Sequence, residues 1–170
     1  IASVGTPGEE PAIATFELDP GALVVRLSAL DAAGEVLDRW TEPVVLTKPG
    51  DGVLVLATPR VFRARSAIEL RTLWANQNPV PVASRRFRAT DRVLVEIDCA
   101  SAGAPCPVVA ELLNNKGERL LDLQMPPLVE GRSRILLPLT SLAPSVYAVR
   151  FRAGEGEREM RQVVAFRVER

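Results

Sequence analysis

The chain has 170 residues, of which 47% are hydrophobic, so it can bury a core and is not disordered over most of its length. Lys plus Arg and Asp plus Glu both number 21, and this zero net charge gives no long-range attraction to nucleic acid or acidic membranes. The chain contains no histidine, which removes the commonest general base and metal ligand and every Ser/His or Cys/His pair. No apolar run approaches the roughly 18 residues of a membrane span.

The charge is unevenly spread along the chain. Residues 1–50 hold eight acids and three bases, whereas residues 51–92 hold three acids and eight bases. We interpret this polarity as two differently charged surfaces within one chain. Only Lys48 and Lys116 of the basic residues are lysine, a bias typical of a GC-rich bacterial genome.

The first third of the chain reads as short extended segments separated by turn signals. Residues 1–12, rich in Gly, Pro and Glu, are expected to be a flexible lead. Extended segments are predicted at 13–18, 22–30, 35–40, 43–46, 53–57 and 61–62, with 48–52 as the clearest linker candidate.

One helix is predicted. Ser66-Ala-Ile-Glu69 has the pattern of a capping box, in which the serine oxygen accepts a free amide and the glutamate reaches back to the cap's own N–H. Apolar residues follow at near-helical spacing, and the residue before Pro79 disfavours the helical region. We expect a helix at roughly 67–76.

From Arg85 onward the alternation of apolar residues predicts β-strands. Six or seven short strands in about 85 residues are typical of an immunoglobulin-like sandwich. Asn114 to Gly117 is a predicted hairpin turn. The predicted inward-facing residues are Val93, Val95, Ile97, Cys99, Cys106, Val108, Ala110, Leu112, Tyr147, Val149, Phe151, Val164, Phe166 and Val168.

A motif that occurs twice fixes the architecture further. Leu142-x-Pro144-x-x-Tyr147 resembles the tyrosine corner of immunoglobulin-type sandwiches, in which a buried tyrosine donates its hydroxyl to upstream backbone. Residues 18–27 repeat the pattern of residues 142–151, so residues 13–46 resemble the tail of another such domain.

The predicted fold class is therefore all-β: an immunoglobulin-like antiparallel β-sandwich over residues 85–170, preceded by a smaller N-terminal β lobe and one short helix. The lobe is expected over residues 13–80. We expect residues 13–46 to pack there with residues 53–62 and the helix, with Trp74 covering the join.

The stretch Thr58–Arg65, the stretch Pro81–Arg92, Leu112-Leu113-Asn114-x-x-Gly117 and the tyrosine corner are together similar to the C-terminal region of bacterial von Willebrand factor A-related proteins. The resemblance covers roughly residues 15–170. It implies an exported, non-catalytic tail that interacts with other proteins. The Asp-x-Ser-x-Ser motif of the A-type domain is absent from this sequence, so the cation chemistry of that domain is not implied.

Cys99 and Cys106 both fall in the inward phase of their strands, at the mouth of one loop. A disulfide across this loop would stabilise the fold by roughly 2–3 kcal/mol. Two reduced core cysteines are the alternative, with redox or metal work as a third. A structural metal site normally needs four ligands, and only two cysteines and no histidine are present.

The arginine clusters are the most site-like feature of the sequence. Phe62 and Phe87 lie inside them, an arrangement that favours either base stacking or simple alternation of outward arginine and inward phenylalanine. In the second case, acids from residues 1–50 would be the arginines' partners. The basic residues of these clusters are Arg60, Arg63, Arg65, Arg85, Arg86, Arg88 and Arg92.

Trp40 and Trp74 could stack against a sugar, although a chain with few aromatic residues more often uses them for packing. The candidate partner-binding residues are Arg60, Arg63, Arg65, Arg85, Arg86, Arg88 and Trp40.

These observations lead to a functional expectation. We expect a non-catalytic protein-interaction or scaffold module of an exported bacterial protein, extracellular or periplasmic, acting within a larger assembly. Its partner would be a protein, with no nucleic acid, no membrane span, no cofactor and no metal. The alternatives are a carbohydrate-binding module and a hydrolase with paired carboxylates, for which no convincing pair exists in the sequence.

Overall fold

The computed structural model describes residues 18–46, 54–101 and 105–170. The predicted flexible lead, all of the predicted strand at 13–18 except Leu18, and the whole of the predicted linker at 48–52 lie outside these residues. The chain divides into two compact units, Ile1–Lys48 and Pro49–Arg170.

The described part of the first unit is a β-hairpin. Strand β1 (Gly21–Leu30) pairs antiparallel with strand β2 (Val36–Leu46), and the register runs from Gly21 opposite Leu46 to Ala29 opposite Asp38. The sequence predicted two extended segments where β2 is one continuous strand through Pro43. Both strands leave most of their apolar side chains exposed.

An aspartate closes the turn of this hairpin. The Asp31 carboxylate accepts hydrogen bonds from the backbone N–H groups of Ala33 at 2.9 Å and Glu35 at 2.8 Å. Gly34 follows with a φ of +85°, a conformation that glycine adopts without steric cost. Asn114 builds the same turn in the second unit, with bonds of 2.9 Å from the N–H groups of Lys116 and Glu118.

The described part of the second unit consists of nine strands and one α-helix, with short 3₁₀ turns at Leu139–Ser141 and Gly156–Arg158. The elements are β3 (Leu54–Leu56), β4 (Arg60–Ala64), α1 (Ala67–Ala75), β5 (Arg86–Arg88), β6 (Arg92–Ser101), β7 (Val108–Leu113), β8 (Arg119–Leu123), β9 (Arg132–Leu136), β10 (Ser145–Ala153) and β11 (Met160–Glu169).

These strands form two sheets of an immunoglobulin-like β-sandwich. One sheet has the order β5-β11-β10-β7-β8 and is antiparallel except for the short parallel pair of β5 and β11. In the other sheet, β6 pairs antiparallel with β3, β4 and β9. Strand β10, which the tyrosine corner precedes, is the penultimate strand, as in immunoglobulin-like domains. The predicted all-β sandwich fold is confirmed.

The core lies between the two sheets and uses the alternate residues that the sequence predicts. Val93, Val95 and Ile97 of one sheet meet Val149 and Phe151 of the other in a single buried cluster. The opposite face of β4 and β6 is also buried at Phe62 and Leu94, a cross-strand pair outside that cluster. Burial on both faces explains why β6 is buried at every position from Val93 to Ile97.

The structure places the boundary between the units earlier than the predicted lobe, which extended to residue 80. Strands β3 and β4 pair with β6, and helix α1 contacts β4, so residues 54–80 belong to the sandwich unit. The physical reason is that β6 is buried along most of its length and needs strand partners for its backbone, which β3 and β4 provide.

Helix α1 begins at the predicted capping box. Ser66 accepts a hydrogen bond from the N–H of Glu69 at 3.1 Å. The Glu69 carboxylate accepts from the N–H of Arg65 at 2.7 Å, one residue before the cap that the pattern predicts. The helix ends at Ala75, and none of its residues is fully buried.

Candidate protein-interaction surfaces

The tyrosine corner has the geometry that its motif predicts. Tyr147 is only 7% exposed, and its hydroxyl donates to the carbonyl oxygen of Ala143 at 2.8 Å. Leu142 packs against the core from its edge, and Pro144 is exposed. The motif therefore positions the start of β10 and leaves no reactive group free.

Cys99 and Cys106 are joined in a disulfide, with their Cα atoms 6.1 Å apart. Cys99 lies in the core cluster, and Cys106 packs against it from the edge. The bond links the end of β6 to the segment that leads into β7, which connects the two sheets.

Arg60, a candidate partner-binding residue, is half-buried and takes part in an ion-pair network around the buried Glu96. Its guanidinium contacts Glu96 at 2.7 Å and Asp98 at 2.5 Å. Glu96 is 1% exposed, and Arg132 and Arg134 also pair with it. The arginine partners of this acid come from β4 and β9, so its charge is fully compensated within the sandwich.

The same network anchors helix α1 at its C-terminal end. The Arg134 guanidinium donates to the carbonyl oxygens of Leu73 at 3.0 Å, Trp74 at 3.3 Å and Asn76 at 3.0 Å. The helix has no basic residue in its last turn, so an arginine from β9 satisfies its free carbonyls. Sequence reasoning missed Arg134, and an outward arginine on a strand gives no signal of a distant helix end.

The other candidate arginines range from half-buried to exposed and differ in their contacts. Arg85 donates to the backbone carbonyl of Val82, and Arg86 lies 3.8 Å from Glu169. Arg63 and Arg88 are spaced along β4 and β5, which belong to different sheets, and Arg65 precedes α1. The six arginines are therefore distributed over both sheets and the segments next to α1 and β5.

A second ion-pair network lies on the outer face of the five-stranded sheet. Glu111 accepts hydrogen bonds from Arg150 at 2.9 and 2.5 Å and from Arg152 at 2.7 Å. The hydrogen bond from Arg150 holds the pKa of Glu111 below its ordinary value, against the opposing effect of burial. Arg161 and Arg152 similarly lower the pKa of Glu159. Both carboxylates are paired with arginine side chains.

The hairpin of the first unit holds eight of the 19 exposed large hydrophobic residues found among the described residues. Leu27 is 58% exposed and its cross-strand neighbour Trp40 is 50% exposed. Val25 and Leu23 extend the same face, since side chains two residues apart point to one side of a strand. Trp40 is therefore placed where a partner can reach it. Trp74, predicted to cover a join, is also largely exposed.

The remaining features of the described residues give weaker evidence for a functional site. An open cavity of about 470 Å³ lies beside Arg152 and Asp122, and polar side chains line much of it. In the described residues, no group of acidic or cysteine side chains is arranged to hold a metal ion. The described part of the chain also has no helix long and apolar enough to cross a membrane.

Comparisons with known proteins add no assignment. A scan against protein-family models finds no match for this chain, and a search of curated proteins finds no significant match.

Proposed function

We propose that this chain is a non-catalytic protein-interaction or scaffold module of an exported bacterial protein, similar to the C-terminal region of von Willebrand factor A-related proteins, and an accessory part of a larger assembly. The observation that carries this proposal is the hairpin Gly21–Leu46, which exposes Leu27 and Trp40 on one face. Exposed apolar surface of this kind marks sites of protein–protein contact.

The acidic residues support a non-catalytic role. A carboxyl group that acts as a general acid or base usually has a pKa raised toward the working pH, together with access to a substrate. Glu96 and Glu111 are the buried acids among the described residues, and arginines pair with both. Each of these carboxylates therefore has a structural role that uses its hydrogen-bonding capacity.

Hydrogen exchange tests the interaction role directly. We expect the amides of residues 23–29 to exchange rapidly in dilute isolated chain and slowly in the assembly purified from the native source. The amides of Tyr147 to Phe151 serve as the internal control, since they should be protected in both samples. Strong protection of residues 23–29 in the dilute monomer would contradict the proposal.

The disulfide supports export, because disulfides persist outside the reducing cytosol. Thiol titration of denatured, unreduced protein from the native source should find no free thiol. Two titratable thiols would instead place the protein in a reducing compartment.

Carbohydrate binding is the second candidate, and the exposure of Trp40 favours it. A ring exposed on a flat sheet can stack on a sugar, whereas a buried ring cannot. Glycan-array binding that is lost in Trp40→Ala and kept in Trp74→Ala would replace the first proposal with this one.

A further inference from the structure

The hairpin of the first unit has two faces of opposite charge. Side chains alternate along each strand, and the pairing register fixes which residues share a face. We call one side the acidic face: Leu23, Val25, Leu27 and Ala29 of β1 with Asp38, Trp40, Glu42 and Val44 of β2. We call the other side the basic face: Ala22, Val24, Arg26 and Ser28 of β1 with Arg39, Thr41, Pro43 and Val45 of β2.

Both faces expose apolar side chains. Leu27 and Trp40 are exposed on the acidic face, and Val24 and Val45 are exposed on the basic face, the last by 70%. A sheet with apolar side chains on one face, such as that of β10 and β11, needs a packing partner on that face only. The hairpin needs two, because a two-stranded ribbon with solvent on both sides is marginally stable at best.

We propose that a second copy of this chain supplies the cover, and that the acidic face of one hairpin stacks on the basic face of the next. This inference rests on the proposed interaction function and names its partner. Asp38 and Glu42 of one copy then meet Arg26 and Arg39 of its neighbour across a layer spacing of about 10 Å. Stacking of two acidic faces would instead place four carboxylates together without a base.

A contact between unlike faces is heterologous, so each copy can bind two neighbours. Such contacts close into a ring or continue as a filament, which suits a scaffold. Stacking also explains why both faces carry apolar residues, since each hairpin inside the array is covered on both sides.

The size of the hairpin predicts a weak contact. Ten residues span about 33 Å, and two strands are about 10 Å wide with their side chains, so one contact buries roughly 700 Å² in total. Stable interfaces usually exceed about 1,000 Å². We therefore expect association only at high concentration, and weaker association as salt screens the charges.

Sedimentation velocity of the whole chain tests this with a charge-swap design. The acidic-face variant carries Asp38→Arg and Glu42→Arg, and the basic-face variant carries Arg26→Glu and Arg39→Glu. We expect the unmodified chain to sediment faster as concentration rises, and each variant alone to stay monomeric. An equimolar mixture of the two variants should associate again, because one has two positive faces and the other two negative faces.

Matched controls change charge elsewhere. Glu118→Arg in the β7–β8 turn and Arg71→Glu on α1 lie outside the hairpin, and association should be unchanged in both. Amide protection of residues 147–151 in every variant shows that the sandwich stays folded.

Two results would overturn the proposal that a second copy of this chain covers the hairpin. One is an unmodified chain that stays monomeric at all concentrations in low salt. The other is a variant mixture that does not associate. Protected hairpin amides in a monomer, lost when residues 1–17 are deleted, would assign the cover to that segment. Another outcome is an isolated chain that is monomeric, with hairpin amides that are protected only in the native assembly. That result would exclude stacking between copies of this chain and would leave the proposed interaction function intact.

Discussion

The chain contains two hairpins of the same design in different surroundings. Strands β1 and β2 pair in continuous register over nine positions, from Gly21 with Leu46 to Ala29 with Asp38. Strands β10 and β11 pair over nine equivalent positions, from Ser145 with Val168 to Ala153 with Met160. In the second hairpin one face is the core of a sandwich, whereas in the first the equivalent face is exposed. The two hairpins therefore share their pairing pattern and differ in the burial of the equivalent face.

The two hairpins also differ at single positions of the equivalent face. Glu42 stands where Val164 is buried in the sandwich, and Trp40 stands where Gln162 lies. A carboxylate at such a position requires a basic partner once it is covered. The exposed face is therefore adapted to a charged partner and is not simply a copy of the core-facing one.

Truncation of an apolar residue at equivalent positions should give the largest difference in stability loss between the two hairpins. Phe151 is 0% exposed, and Phe151→Ala should lower the free energy of unfolding of the sandwich by about 3–5 kcal/mol. Leu27 holds the equivalent place in the first hairpin, and Leu27→Ala should change this free energy by less than about 0.5 kcal/mol. Urea unfolding of dilute protein measures both.

Similar losses for the two variants would show that the hairpin is covered within the isolated chain. The comparison of buried and exposed hairpins would then fail, and with it the basis for the proposed interaction surface.

Replacement of an arginine should give the second-largest difference in stability loss between the sandwich and the exposed hairpin. Arg134→Met leaves the buried Glu96 with fewer partners and frees the carbonyls at the end of α1, so we expect a loss of about 2–4 kcal/mol. Arg26→Met on the exposed hairpin should cost less than about 0.5 kcal/mol. Faster exchange of the amides of residues 72–76 in Arg134→Met would show the helix end loosening. An unchanged stability would show that Arg60 and Arg132 suffice for Glu96.

The corner tyrosine should show a smaller effect. Tyr147→Phe removes the hydrogen bond to the Ala143 carbonyl and keeps the ring against the core, so we expect a loss of about 0.5–1.5 kcal/mol. The first hairpin has Leu23 at the equivalent position, where no such bond exists. Comparing the thermal unfolding of Tyr147→Phe with that of Tyr147→Leu distinguishes the contribution of the hydrogen bond from that of the aromatic ring. Equal stability of Tyr147→Phe and the unmodified chain would show that the corner bond contributes nothing net.

Residue pattern predicted the sandwich and its corner well, because alternation and the Leu-x-Pro-x-x-Tyr spacing depend on local geometry. Val149 and Phe151 lie in the core as their phase predicts. The domain boundary was harder, because the pairing of β3 and β4 with β6 is a long-range contact that no local pattern encodes. The role of Arg134 depends on a helix end about 60 residues earlier in the chain, which explains why spacing alone did not reveal it.

Protonation of Glu111 should produce the smallest effect, visible at acid pH. The hydrogen bond from Arg150 lowers the folded-state pKa of Glu111, so the pair contributes stability that is present above the carboxyl's ordinary pKa and is lost as pH falls through the folded value. Urea unfolding at about pH 6 and about pH 3 should therefore show a smaller acid-induced loss in Glu111→Gln than in the unmodified chain. Glu118→Gln, in the exposed β7–β8 turn, is the matched control and should keep the full loss. An identical acid-induced loss in both variants would mean that other carboxylates destabilise the sandwich at low pH, and that the Glu111 network is energetically neutral on the outer face.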